Sequence, residues 1–230
     1  MYQQIRVKVS IVFKLLLFLA TTTYSQPSKK NYFPLWTYHD NYVNIHGISL
    51  GIGSSQEDDR KANTNGLKVE LIGLGIILPL IPQSPIPKDE YAFSRLTRQP
   101  FSEKINGISA SLSGTVCHCR TNGITVGGIG QINFKVNGIS ASLLMNYVQI
   151  SNGVGVALWN ESYRMNGIQL GLANYGAKTR GIQLGIINRS KDMIGLQVGL
   201  FNKSSRYKGI QIGLWNENAK RSLPFINWSF

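Results

Sequence analysis

The chain has 230 residues, with 24 Lys and Arg against 11 Asp and Glu, and a formal net charge of +13. Only two cysteines and three histidines are present, a supply that excludes a disulfide framework and is poor for a metal or catalytic centre. The length suits one all-β domain of ordinary size.

At the N-terminus, Arg6, Lys8 and Lys14 precede or interrupt the apolar residues Ile11-Val12-Phe13 and Leu15 to Ala20, and small polar residues follow up to Ser25-Gln26. That order is the pattern of a cleavable secretory signal. The apolar run is shorter than the ~20 residues of a spanning helix. The expected division is a signal peptide over 1–25, cleaved near Ser25, and a single all-β repeat domain over 26–230. No Cys stands near the cleavage position to carry a lipid. Removing three basic and no acidic residues lowers the formal charge from +13 to +10. Export argues against nucleic acid as the partner of this charge. The outer membrane or another anionic envelope surface is the expected partner, reached through the same long-range field.

Further along, His46-Gly47-Ile48 and Asn65-Gly66-Leu67 are early fragments of a motif that becomes regular later. Glu57, Asp58 and Asp59 form an acidic cluster without the alternating oxygen ligands and glycine of a calcium loop, and read as a solvated loop. The apolar stretch LIGLGIILPLIP, residues 71–82, holds two Gly and two Pro and reads as a buried strand. Pro79, Pro82, Pro85, Pro87 and Pro100 mark an insertion over about 79–100, a long loop or plug, because Pro cannot donate to a sheet ladder. Cys117 and Cys119 flank His118, and the strand period puts both thiols on one face with the imidazole on the other. A structural zinc wants four ligands, and only His39 and His46 remain as further histidines, so the two Cys read as small side chains packed on a strand. Gly73-Leu74-Gly75 and Gly127-Gly128-Ile129-Gly130 lie among strands, without the following helix that a phosphate loop needs. No catalytic residue, cofactor site or metal site is assigned.

From Gly167 the chain repeats every 14 residues. The repeat positions are Gly167, Gln169, Gly171 and Asn174, then Gly181, Gln183, Gly185 and Asn188, then Gly195, Gln197, Gly199 and Asn202, and finally Gly209, Gln211, Gly213 and Asn216. Looser units begin at Asn106, Asn122, Asn137 and Asn152, so the regular repeats cover residues 106–221. Alternation puts Ile210, Ile212 and Leu214 on one face and Gly209, Gln211, Gly213 and Trp215 on the other, the pattern of a strand with one apolar face. The Asn-Gly dipeptides read as turns, and each Gly would cost a helix ~1 kcal/mol. Lys178 and Arg180, Arg189 and Lys191, Lys203 and Arg206, and Lys220 and Arg221 recur between strands, which predicts basic loops at one level. Trp159, Phe201 and Trp215 share one register and read as an interfacial girdle or, alternatively, as hydrophobic caps over strand ends.

Two architectures fit. The favoured one is an antiparallel β-meander closing into a barrel, which leaves no edge exposed; the alternative is a β-solenoid with 14-residue coils. The terminal LPFINWSF resembles the last strand of outer-membrane barrels, although Pro224 departs from it. Against the solenoid, the second inward strip offers only Thr179, Met193 and Tyr207. Parallel neighbours with stacked Asn174, Asn188, Asn202 and Asn216 would identify the solenoid. Outward Ile210, Ile212 and Leu214 would favour membrane association, and inward ones a closed core or ligand cavity.

The units G-[IL]-Q-[LIV]-G-[LI]-x-N at Gly167 to Asn174, Gly181 to Asn188, Gly195 to Asn202 and Gly209 to Asn216 resemble the surface-repeat family found in envelope proteins of Bacteroidetes and leptospires. The match is specific over residues 153–216, looser from 106 and weak over 26–105. The resemblance implies surface or outer-membrane placement and carries no catalytic residues. The expected function is therefore an exported outer-membrane or cell-surface structural or interaction protein, not an enzyme. The alternative is a small barrel acting as carrier or pore for a lipid-like ligand or solute.

Overall fold

The structure is a computed structural model that describes residues 28–55 and 60–230. The expected signal peptide and Glu57, Asp58 and Asp59 lie outside the described residues. The strands are β1 Lys30–Tyr32, β2 Leu35–Thr37, β3 Val43–Gly51, β4 Ala62–Glu70, β5 Glu103–Ser111, β6 Val116–Gly127, β7 Gly130–Ser142, β8 Met145–Val156, β9 Trp159–Leu170, β10 Ala173–Leu184, β11 Ile187–Val198, β12 Phe201–Asn218 and β13 Ser222–Ser229. From β3 to β12 every strand pairs in parallel with the next. In the regular region each residue faces its own repeat counterpart, as in Asn174↔Asn188 and Gln183↔Gln197.

This is the β-solenoid, and the antiparallel barrel favoured from the sequence is overturned. A meander reverses direction at every strand, whereas parallel strands joined by two-residue turns must coil. The Asn-Gly dipeptides enable that coiling from inside the strands, where they make corners instead of hairpin turns. Gly181 has φ 136°, in the region that favours glycine. A Cβ on Gly181 would lie 1.9 Å from the carbonyl oxygen of Gly167, and one on Gly209 would lie 1.9 Å from that of Gly195. The corner glycines therefore stack backbone on backbone. The connections between coils are the apolar pairs Gly171-Leu172, Gly185-Ile186 and Gly199-Leu200. The cations from Lys178 to Arg206 accordingly lie within strands β10 to β12, not in loops, and only Lys220 and Arg221 fall at the β12–β13 connection.

The interior is polar. Gln183, Gln197, Asn174 and Asn188 have no exposed surface, while Ile210, Ile212 and Leu214 are 40, 42 and 56 % exposed. Asn160 donates Nδ2–H to Oδ1 of Asn174 at 3.1 Å, Asn174 to Asn188 at 2.9 Å, Asn188 to Asn202 at 2.8 Å and Asn202 to Asn216 at 2.8 Å. The glutamines run the other way, with Gln183 donating to Gln169 at 2.8 Å, Gln197 to Gln183 at 2.7 Å and Gln211 to Gln197 at 2.8 Å. A carboxamide carries both donors and acceptors, so a stack satisfies each residue with its neighbour and removes the penalty of burial. Thr179, Met193 and Tyr207 do face inward and are buried. The core is thin in apolar atoms because amide ladders fill it.

One apolar cluster sits outside the coil, and two smaller ones, Tyr38, Val43, Ile45 and Ala62, and Ile105, Cys117 and Cys119, lie at its first strands. Residues 71–82 form no strand but a 3-10 helix over Leu74–Leu80, followed by the helix α1, Glu90–Arg98, whose cap Asp89 accepts from the Ala92 amide at 2.8 Å. Leu78, Ile86 and Phe93 pack on Ile132, Tyr147 and Tyr163, with the Phe93 and Tyr163 rings stacked 4.1 Å apart. At the far end β13 pairs antiparallel with β12 and covers its edge.

Candidate functional site

The buried ionisable groups near the first coils are paired through one oxygen of each carboxylate, and Glu70 Oε1 and Glu103 Oε1 are buried without a hydrogen bond. Lys68 meets Glu103 Oε2 at 2.5 Å and Ser54 Oγ at 3.1 Å, and lies 4.1 Å over the Tyr38 ring. Glu70 accepts from the Thr115 hydroxyl. Burial, then the nearby Glu70 carboxylate, raises the Tyr38 phenol above its ordinary value.

Cys117 and Cys119 are bonded to each other as a disulfide inside one strand, beyond the simple packing read from the sequence. The pairing of β6 with β7 shifts between Cys117 and Arg120, and this bulge brings the two Cα atoms to 5.1 Å. In a straight strand residues two apart are ~6.6 Å apart, and no sequence signal announced the bulge. His118 points to the opposite side, between Phe101 and Phe134, and its burial lowers its pKa. Among the described residues no group of three His, Cys, Asp or Glu could hold a metal ion.

An exposed apolar surface runs along the outer face that follows each corner glycine. Ile48, Ile108, Ile124, Ile139 and Ile210 stand exposed in one row of paired positions, and Leu50, Val126, Val156, Leu184 and Ile212 in the next. A third row runs along the turns at Leu143, Leu158, Leu172, Ile186, Leu200 and Leu214. Trp159 and Phe201 at the starts of β9 and β12, and Trp215 within β12, edge this face, and β13 extends it with Ile226 and Trp228. Ten strands at ~4.8 Å spacing make the face ~43 Å long. On its other edge, beside the corner glycines, stand exposed Arg180 and Lys208.

The arm before each corner is basic and partly covered by the insertion. Glu90 of α1 takes Lys178 Nζ at 2.5 Å, Arg164 at 2.8 Å and the Tyr163 hydroxyl at 2.9 Å. The Lys178 and Tyr163 hydrogen bonds hold its carboxyl down at about 2. Beside residues 84–88 of the insertion a groove of about 350 Å³ opens against β9 to β12, lined by Lys88, Glu161, Tyr175, Arg189, Lys191 and Lys203. Tyr175, Arg189 and Lys203 occupy one cross-coil row.

The repeat residues predicted as structural do converge: the glutamines and asparagines in the interior, Gly167, Gly181, Gly195 and Gly209 at the corner, and Gly171, Gly185, Gly199 and Gly213 at the turn. Amide ladders fill the interior of the regular coils, so there is no barrel lumen among the described residues. Among the described residues no helix is long and apolar enough to cross a membrane. Compared with known families, curated proteins and solved structures, the chain finds no match.

Proposed function

We propose that this protein is an exported structural or interaction protein of the outer membrane or cell surface, without catalytic activity, and that its apolar outer face docks on lipid. The outward placement of Ile210, Ile212 and Leu214, with their counterparts along the coil, carries the reading. A contiguous exposed apolar surface beyond a few hundred Å² marks an interaction site. Charge decides the occupant. Without the expected signal peptide the chain carries a formal +10, so a second copy is repelled and an anionic bilayer attracted. The edges supply interfacial anchors: aromatic rings along one side, and Arg221 stacked 4.5 Å over Trp228 near the end. Such a face lies in the headgroup and upper acyl region without spanning it.

Cell fractionation tests this. The mature chain, starting near Gln26, should stay with the envelope pellet through a high-salt wash and leave it in detergent. Recovery as a soluble periplasmic protein after salt would refute the reading.

A further inference from the structure

The groove beside the insertion has a composition that lipid docking does not use. Arg189 and Lys191 on β11 and Lys88 on the insertion are exposed and have no ion-pair partner among the described residues, while Lys203 meets Glu217 at 2.7 Å. In strands at ~4.8 Å spacing, the row Tyr175, Arg189, Lys203 sets an aromatic face and two cations at intervals close to the rise of one sugar unit along an extended glycan. Tyr175 is itself held by the Trp159 ring, stacked at 4.5 Å. Glu161 lies in the same groove, and burial raises its carboxyl above the ordinary value.

We propose that this groove binds an acidic polysaccharide: Arg189, Lys191 and Lys88 take its carboxylates or phosphates, Tyr175 carries a sugar ring and Glu161 accepts sugar hydroxyls. A bare polyanion such as nucleic acid would gain from the cations but would meet Glu161 as a like charge. A sugar offers hydroxyl donors to that same carboxylate, which is why the mixed lining selects carbohydrate. The groove volume of about 350 Å³ fits a short oligosaccharide segment. The proposal rests on the exported reading only in placing the chain where such polymers occur.

The test uses the full chain in non-ionic detergent, without lipid, so that it can fail independently of membrane docking. Calorimetry with tetragalacturonate at physiological salt should show binding, and neutral cellotetraose should bind much more weakly. The paired substitution Arg189→Gln with Lys191→Gln should weaken binding roughly tenfold or more. The equally charged pair Arg180→Gln with Lys208→Gln, away from the groove, should change it less than about twofold. Equal losses from the two pairs, tighter binding of a single-stranded DNA oligomer of matched charge, or no binding of the wild type would each overturn the proposal.

Discussion

Asn188 accepts from Asn174 at 2.9 Å and donates both its own amide hydrogens, to Asn202 at 2.8 Å and to the Val198 carbonyl at 2.9 Å. Every polar atom of this fully buried side chain is thereby engaged. Asn188→Ala should orphan a donor on Asn174 and the acceptor on Asn202, at about 1–3 kcal/mol for a buried group left unpaired, while the Val198 carbonyl keeps the Gly185 amide at 3.0 Å. A total loss of roughly 2–4 kcal/mol in urea unfolding is expected. Asn122, in the outer ladder where Asn137 donates to it at 2.7 Å, should lose under about 1 kcal/mol on the same substitution, because water replaces its partners. Equal losses would show that the inner ladder is not what holds the coils.

The corner glycines make a sharper demand. Gly195 has φ 136°, and a Cβ there would lie 2.0 Å from the Gly181 carbonyl oxygen. Gly195→Ala combines a conformational penalty of about 1–3 kcal/mol with that overlap, and the stacked neighbour cannot retreat without breaking its own ladder. The variant should fold poorly or lose more than about 3 kcal/mol by denaturant titration. A wild-type midpoint would mean that the corner is adjustable.

Strand content, period and alternation were legible from residues such as Ile210, Gln211 and Ile212, because a period of two survives any closure. Which face turns inward was not legible. The usual expectation hides Ile and exposes Gln, and it fails where carboxamides stack on identical carboxamides one coil away, a relation visible only once strands are known to run parallel. Asn-Gly misled for a related reason, since positive φ serves a hairpin turn and an in-strand corner equally. The groove joins Lys88 to Arg189 across a long stretch of chain, so no local pattern contained it. The bulge that closes Cys117 onto Cys119 likewise depends on the neighbouring β7.

Docking of α1 should depend on acid in one direction. The Glu90 carboxyl titrates at about 2, below its ordinary 4.5, through its bonds to Lys178 and Tyr163. Its contribution is then complete above the ordinary carboxylate value and is lost as pH falls through about 2. Hydrogen-exchange protection of the α1 amides, taken against the exchange rate of an unfolded peptide at the same pH, should be high at neutral pH and fall on acidification toward that value. In Glu90→Gln the protection should be lower at neutral pH and flatter with pH. Identical profiles for the two proteins would assign the docking to the Phe93 stack alone.

His118 acts in a different window. Burial lowers its pKa below 6.5, so the folded chain binds fewer protons than the unfolded one. Stability should be complete above the ordinary histidine value and decline as pH drops below it. His118→Phe keeps a ring between Phe101 and Phe134 and should flatten the melting temperature between roughly neutral and pH 5. A slope unchanged by the substitution would place the titrating group elsewhere.

The apolar face yields the prediction that separates lipid from a second copy of the chain. Leu184 and Ile212 lie in the same outer row, with side chains already in contact with solvent, so Leu184→Glu and Ile212→Glu should leave the amide ladders and the far-ultraviolet spectrum intact. Each change removes an aliphatic group from the docking surface and adds a charge that must be desolvated to enter the interface, at a cost of about 2 kcal/mol or more. Wild-type protein should float with phosphatidylcholine vesicles containing phosphatidylglycerol and stay bound in high salt, since screening removes charge attraction but not apolar burial. The double variant should bind weakly and be released by salt, because only Arg180, Lys208 and their neighbours then hold it. If the wild type instead ignores vesicles and sediments as a dimer that the same two substitutions dissociate, the face belongs to a second copy. The +10 charge of the chain without its signal peptide would then have been outweighed by the stacking of two flat apolar sheets.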